Sequence, residues 1–67
     1  MELSARNQLA GTITAIKTGP VVAEVILRVG DNDIAAVITM SSVERLGLRV
    51  GDQANAIIKA TEVMISK

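Results

Sequence analysis

Neither cysteine nor histidine occurs in this chain of 67 residues, and their absence limits how so short a chain can be stabilised. A domain near this size buries only about 60% of the surface that its unfolded chain exposes, so its core is marginal. The disulfides and zinc sites that stabilise many small domains require the two missing residue types. Association of several copies is the means that remains, and we therefore expect an oligomer.

The balance of apolar and charged residues supports this expectation. Apolar residues make up 49% of the chain, none of its residues is aromatic, and the mean hydropathy is +0.43. Seven basic residues balance seven acidic ones, so no general field attracts nucleic acid or an anionic membrane. No apolar run approaches the roughly 18 residues of a membrane span, and the opening residues, with Glu2 and Arg6, do not resemble a signal peptide. We expect a cytoplasmic protein that binds neither nucleic acid nor membranes.

The positions of β-branched and alternating apolar residues predict five short strands. Residues 19–20 (Gly-Pro) end the first strand and separate it from the second. Residues 30–33 favour a hairpin turn between the second and the third. Ser41 stands three residues before Glu44, which is the spacing of a helix capping box, and Gly47 is a suitable stop for a short helix. The predicted strands are residues 9–17, 21–29, 34–40, 53–60 and 61–66.

This order of elements predicts an all-β fold with one short helix, arranged as a five-stranded OB-like small barrel in a single domain, residues 1–67. The second predicted strand carries an unusual pattern. On one of its faces Val22 and Ile26 interleave with the charged residues Glu24 and Arg28, although a strand face in water is normally polar. We therefore expect another surface to cover that face.

The chain offers little for catalysis. Without histidine or cysteine it has no imidazole base, no thiolate and no ordinary zinc ligand set. Its carboxylates fall mostly in turns or beside basic residues, where solvated or paired charges explain them better than a general acid and base. The sequence predicts that the protein is not an enzyme, that it uses no catalytic cofactor and that its side chains do not ligate a metal directly.

Three motifs in register resemble the molbindin, or Mop, domain. They are S-A-R-N-Q at residues 4–8, I-T-x-x-S-V-x-x-L-G-L at residues 38–48 and I-K-A-T-x-V-M-I at residues 58–65. Each motif alone is a weak signal, but together they extend over nearly the whole chain in the order and spacing of that family. The resemblance is therefore specific.

The resemblance implies both a ligand and an assembly. Similar proteins form hexamers of intertwined OB-like subunits, and bind tetrahedral molybdate or tungstate where subunits meet. The expected function is storage or homeostasis of these oxyanions by a homohexamer, a trimer of dimers. Ala60 stands where some relatives have serine, so that hydroxyl contact is absent here. The implied oxyanion site consists of Ser4, the backbone at Ala5, Arg6, Lys59 and the backbone at Ala60, with Thr39 and Ser42 as further polar positions.

The residue types suit such a ligand. A divalent oxyanion offers only hydrogen-bond acceptors, so its pocket needs hydroxyls, peptide N–H groups and cationic side chains. From spacing alone, however, Arg6 and Lys59 are better explained as salt-bridge partners at an interface, and Thr39 as an ordinary strand residue. The resemblance favours the oxyanion site over that explanation.

Two other functions are compatible with parts of the sequence. Residues 38–57 are similar to the AbrB-like family of swapped-hairpin DNA-binding regulators, although the basic arm of that family is missing and the net charge is zero. A purely structural oligomer without a ligand is the other alternative. A barrel that binds single-stranded nucleic acid is disfavoured, because no aromatic side chain is present for base stacking.

Overall fold

The structure is a computed structural model that describes residues 6–67. Four strands form one antiparallel sheet in the order β3-β2-β1-β4, so that β3 and β4 are its edges. A short helix, α1, follows β3. The all-β class with one short helix is therefore confirmed. The elements are β1 (Asn7–Thr18), β2 (Val22–Val29), β3 (Asn32–Thr39), α1 (Met40–Leu46) and β4 (Gln53–Ile58).

The hairpin between β2 and β3 is tighter than predicted. Val29 pairs with Asn32, which leaves a two-residue turn, and Gly30 takes a φ of 60° that a β-carbon would disfavour. Strand β3 consequently starts two residues before the predicted 34–40 segment and ends at Thr39. The position of the hairpin was predicted correctly from its turn residues.

The core lies on one side of the sheet. Strand β2 buries alternate residues, Ala23, Val25 and Leu27, as the period of a strand requires. A β-bulge in β1 between Ile13 and Ala15 shifts the alternation there, so that both Ile13 and Ile16 pack with the core. Ile13 also fixes the loop before β4, because its N–H donates to the Asp52 carbonyl at 2.9 Å and its carbonyl accepts from the Gly51 N–H at 2.8 Å.

Helix α1 begins earlier than the capping-box spacing predicted. The N-cap is Thr39, whose Oγ1 accepts a hydrogen bond from the Ser42 N–H at 3.1 Å, and the helix starts at Met40. The assignment of Ser41 as the cap was therefore wrong. The predicted stop is confirmed, since Gly47 lies in the left-handed region with φ 62° and its N–H donates to the Glu44 carbonyl at 3.1 Å.

The predicted fifth strand, residues 61–66, is wrong. Strand β4 ends at Ile58, the chain makes one turn of 3-10 helix over Ala60–Glu62, and residues 63–67 have no regular structure. Met64 and Ile65 are 92% and 89% exposed, and among residues 6–67 no strand pairs with them. Strand propensity reflects packing against neighbours, and the part of the chain that the structure describes gives these alternating apolar residues no strand to pack against. The OB-like arrangement is therefore built from four strands.

Candidate functional site

Pairing of β1 with β4 brings the first and last predicted site segments together. The last register pair of this ladder is Asn7 with Ile58, so the next residues outward, Arg6 and Lys59, leave the sheet side by side. Both residues are exposed. Ser4 and Ala5, which the sequence also assigned to the site, lie outside the described residues. The two predicted cations are thus neighbours although 53 positions separate residues 6 and 59 in the sequence.

These two cations have no carboxylate partner in the part of the chain that the structure describes. The ion pair found there joins Arg28 Nη1 of β2 to Asp33 Oδ1 of β3 at 3.2 Å. A salt bridge among residues 6–67 therefore does not account for Arg6 or Lys59. Charged donors of this kind suit an anion, which accepts hydrogen bonds from them.

The backbone at Ala60 adds a hydrogen-bond donor beside Lys59. Ala60 is exposed and opens the 3-10 turn, in which the Glu62 N–H donates to the Lys59 carbonyl at 2.9 Å and the Val63 N–H to the Ala60 carbonyl at 3.4 Å. The first N–H groups of a helical turn have no partner inside the turn. Among residues 6–67, the Ala60 N–H donates to no other group.

The central motif forms a separate polar cluster at the start of α1. The Thr39 hydroxyl donates to Ser42 Oγ at 2.9 Å and lies 3.2 Å from Ser41 Oγ. An Arg45 Nη2 donor reaches Ser42 Oγ at 3.5 Å. The structure therefore gives Thr39 and Ser42 a capping function that the sequence analysis did not assign to them. The signal that was missed is Thr39 three residues before Ser42, because an N-cap side chain accepts a hydrogen bond from the N–H three residues later.

The two clusters lie at opposite ends of the sheet. Arg6 precedes the start of β1, whereas Thr39 pairs with Val22, beside the pair that joins the end of β1 at Thr18 to Ala23. With a rise of about 3.3 Å per residue, the length of β1 corresponds to a separation on the order of 30 Å. One chain therefore cannot direct both clusters at one small ion.

An apolar cavity in the described chain contains none of the predicted site residues. Its volume is about 220 Å³, and it lies on the core side of the sheet. Transfer of a charged group into such surroundings without compensating partners is strongly unfavourable, so this cavity is not an oxyanion pocket. The residues lining it are Ile13, Val25, Leu27, Ile34, Ala36, Ile38, Leu46, Leu48, Ala54, Asn55 and Ala56.

Two further features bear on the function. Residues 6–67 contain no group of three or more acidic side chains placed to hold a metal ion. In the same part of the chain, no helix has the length and apolar character needed to cross a membrane.

Comparison with known proteins places the chain in a family. Residues 3–65 match the model of the TOBE domain. Molybdenum-pterin-binding protein 1 of Clostridium pasteurianum is 47% identical over 66 residues, which cover 97% of both chains. The structure of a molybdate-binding protein from Sporomusa ovata superposes with a TM-score of 0.96 at 37% identity and covers 100% of both chains. A structure of the cytoplasmic molybdate-binding protein ModG with molybdate bound has a TM-score of 0.84 at 46% identity, covering 90% of this chain and 43% of the ModG chain.

The four-stranded sheet of residues 6–67, with one short helix between β3 and β4, is an OB-like fold. The chain belongs to the TOBE domain family, in its molbindin, or Mop, group, as the three sequence motifs indicated.

Proposed function

We propose that this protein binds molybdate or tungstate as the tetrahedral dianion, in clefts between copies of itself. The observation that carries the proposal is the adjacency of Arg6 and Lys59 at the end of the β1–β4 ladder, without a carboxylate partner among the described residues. Relatives that match the chain over nearly its whole length are named for binding molybdenum compounds or molybdate.

The charges and donors suit a dianion. Arg6 offers a planar fork of N–H groups that can reach two oxygens, whereas Lys59 supplies a compact charge, and together they neutralise the ligand. The Ser4 hydroxyl and the N–H groups of Ala5 and Ala60 complete a set made only of donors, which matches a ligand that only accepts. These residues are the ones in this sequence that match the polar positions of the family motifs.

The strength of binding argues for a covered site. A unit charge pair at 4 Å contributes about 1 kcal/mol in bulk water and about 4 kcal/mol at an effective dielectric constant near 20. Micromolar affinity requires roughly 8 kcal/mol. Since Arg6 and Lys59 are exposed in the single chain, they reach the larger value only where another copy excludes water around them. We therefore place the ligand between subunits.

The second polar cluster supports the same arrangement. Thr39 and Ser42 lie at the opposite end of the sheet from Arg6, so in our proposal they reach the anion from a neighbouring copy. A homohexamer built as a trimer of dimers, as the family resemblance implies, supplies such neighbours. In this proposal Ser4, Ala5, Arg6, Lys59 and Ala60 come from one copy, and Thr39 and Ser42 from another.

The proposed role is cytoplasmic storage or homeostasis of the oxyanion, without catalysis. The binding group consists of donors and cations, with no base or nucleophile, and the related ModG protein is described as a cytoplasmic molybdate-binding protein. The AbrB-like alternative gains no support from the family match, so binding to duplex DNA serves as the negative control.

Equilibrium dialysis of the purified oligomer with molybdate, tungstate or sulfate, followed by elemental analysis, tests the proposal. We expect molybdate and tungstate to bind at micromolar concentrations, and Arg6→Ala and Lys59→Ala each to weaken binding at least tenfold. Arg49→Ala and Lys67→Ala remove the same charges at other exposed positions and are the matched controls. Absence of bound molybdate and tungstate, or equal losses in the control variants, would exclude this site.

A further inference from the structure

The side of the sheet opposite the core carries an apolar row between two charged rows. Because Val25 and Leu27 of β2 are buried in the core, the alternate residues Glu24, Ile26 and Arg28 lie on the other side. We call this side of β1, β2 and β3 the outer face. It is the face on which the sequence shows an unexpected mixture of apolar and charged residues.

The strand registers arrange this face into three rows. The middle row is apolar, because Ile26 lies between Ala15 of β1 and Ala35 of β3. On one side of it, Arg28 lies between Thr12 and Asp33, and on the other side Glu24 lies between Lys17 and Val37. Strand β2 therefore presents a positive residue, an apolar residue and a negative residue in succession on the outer face.

Large apolar side chains of this face are open to solvent in the single chain. Val37 is 69% exposed and Val22 is 48% exposed. An antiparallel sheet that faces water on one side normally places polar residues there, so exposed valines beside an apolar row indicate a face that is covered in the assembled protein.

The charges are arranged symmetrically about Ile26. Glu24 and Arg28 stand two residues to either side of it along β2. A two-fold axis that runs across the strands along the Ile26 row reverses the direction of β2 in a second copy. That rotation sets Arg28 of each copy over Glu24 of the other and brings the two Ile26 side chains together. Packed sheets are about 10 Å apart, a gap that these long side chains span.

Both charged groups retain bonding capacity for such a partner. Arg28 Nε donates to the Gly30 carbonyl at 3.1 Å and Nη1 to Asp33 Oδ1 at 3.2 Å, but its Nη2 donates to no described residue. The Glu24 carboxylate likewise accepts no hydrogen bond and forms no ion pair among residues 6–67. The local bonds hold the guanidinium in place, which lowers the entropy that a contact with a second copy loses.

We propose that the outer face is an isologous interface, in which two copies pack across the Ile26 row and form two reciprocal Arg28–Glu24 pairs. The inference rests on the self-association in the proposed function and identifies the surface responsible for one of its contacts. A second copy is the occupant because the order of charges along β2 is complementary to itself after a two-fold rotation.

Charge reversal tests the interface, with assembly mass measured by light scattering or native mass spectrometry in buffer free of oxyanions. Glu24→Arg and Arg28→Glu each place like charges across the axis, so each variant alone should lose the mass of the unmodified assembly. In an equimolar mixture, a pair made of one copy of each variant has opposite charges at both contacts. The original mass should therefore return. Retention of that mass by both single variants, no recovery on mixing, or a monomeric unmodified protein would overturn the proposal.

Cross-linking provides a second measurement that does not require the charge variants to fold. The chain has no native cysteine, so Ile26→Cys introduces a unique thiol at the proposed axis. A short bis-maleimide should convert this variant to covalent dimers. Val50→Cys places a thiol on a loop residue that is 63% exposed, and that variant should remain uncoupled. Failure of Ile26→Cys to cross-link would contradict the interface.

These readouts are independent of oxyanion binding. If the dialysis experiment finds no molybdate but the charge-reversed mixture reassembles, the interface stands and the proposed function fails. If molybdate binds while both charge variants keep the original mass, the outer-face interface fails alone.

Discussion

Gly11 lies directly against the backbone carbonyl oxygen of Arg28, on the neighbouring strand β2. A β-carbon at position 11 would overlap that oxygen and would come within 2.9 Å of Val29 Cγ2. Glycine within a strand often marks a close approach of two backbones, and here it allows β1 to pair with β4 while lying tightly against β2. The obstacle is main-chain, so no change of rotamer relieves it.

The first prediction concerns this contact. Gly11→Ala should lower the free energy of unfolding by about 1–3 kcal/mol, the usual cost of forcing an extra methyl group into a packed site. Urea denaturation at one fixed protein concentration measures the loss, because association contributes to the stability of an oligomer. Thr18→Ala, at an exposed position of the same strand, is the control and should change stability by less than about 0.5 kcal/mol. Equal stability of Gly11→Ala and the unmodified protein would contradict the close contact.

The second prediction separates Thr39 from Ser41 as the cap of α1. Thr39→Ala leaves the Ser42 N–H without its acceptor and should cost about 1 kcal/mol of unfolding free energy, whereas Thr39→Ser keeps an oxygen there and should lose only a fraction of that. Ser41→Ala is the comparison, since the contact found for the Ser41 hydroxyl is with Thr39 Oγ1 at 3.2 Å. Thermal or urea unfolding that ranks Ser41→Ala as the more damaging change would restore the cap assigned from sequence.

The core elements could be predicted from sequence because their signals are local. Alternation along β2, the turn at Gly30 and the stop at Gly47 depend on residues close together in the chain. The cap was misplaced for the same reason. Hydroxyls at positions 39, 41 and 42 all satisfy part of a capping pattern, and the point where β3 leaves the sheet decides among them. That point depends on pairing with β2 rather than on the helix sequence.

The tail after β4 and the grouping of the predicted site residues depend on contacts between residues that are distant in the sequence. Residues 63–65 alternate like a strand but find no neighbour to pair with in the described chain. The strands next to Arg6 and Lys59 were predicted, but the order β3-β2-β1-β4, which makes these residues neighbours, was not. Both cations were chosen because they fall within the family motifs at residues 4–8 and 58–65.

The third prediction concerns Ile13, which is 1% exposed. It lies at the β-bulge of β1, and its backbone bonds to the loop before β4. It also lines the apolar cavity, so truncation enlarges a space that already exists. Ile13→Val should cost about 0.5–1.5 kcal/mol and Ile13→Ala about 2–5 kcal/mol. Val50→Ala, at an exposed loop position, is the control and should fall within about 0.5 kcal/mol of the unmodified protein. Denaturant unfolding that gives Ile13→Ala a loss no greater than the control would contradict the central place of Ile13 in the core.

The fourth prediction tests whether one oxyanion site combines both polar clusters from different copies. Arg6→Ala and Thr39→Ala should each abolish full-affinity binding of tungstate. Their equimolar mixture, randomised by unfolding and refolding together, should regain it in about a quarter of the sites, because some sites then take Arg6 from one variant and Thr39 from the other. Equilibrium dialysis counts the recovered sites.

A second mixture is the matched control for this prediction. When the double variant Arg6→Ala/Thr39→Ala is randomised with unmodified chains, sites shared between copies should again be intact in about a quarter of cases. Sites formed within a single copy would instead give about half in this control and none in the mixture of single variants. Because Arg6 and Thr39 lie at opposite ends of β1, we expect the two mixtures to recover the same fraction. A clear difference between them would show that the clusters act on an anion without crossing a subunit boundary.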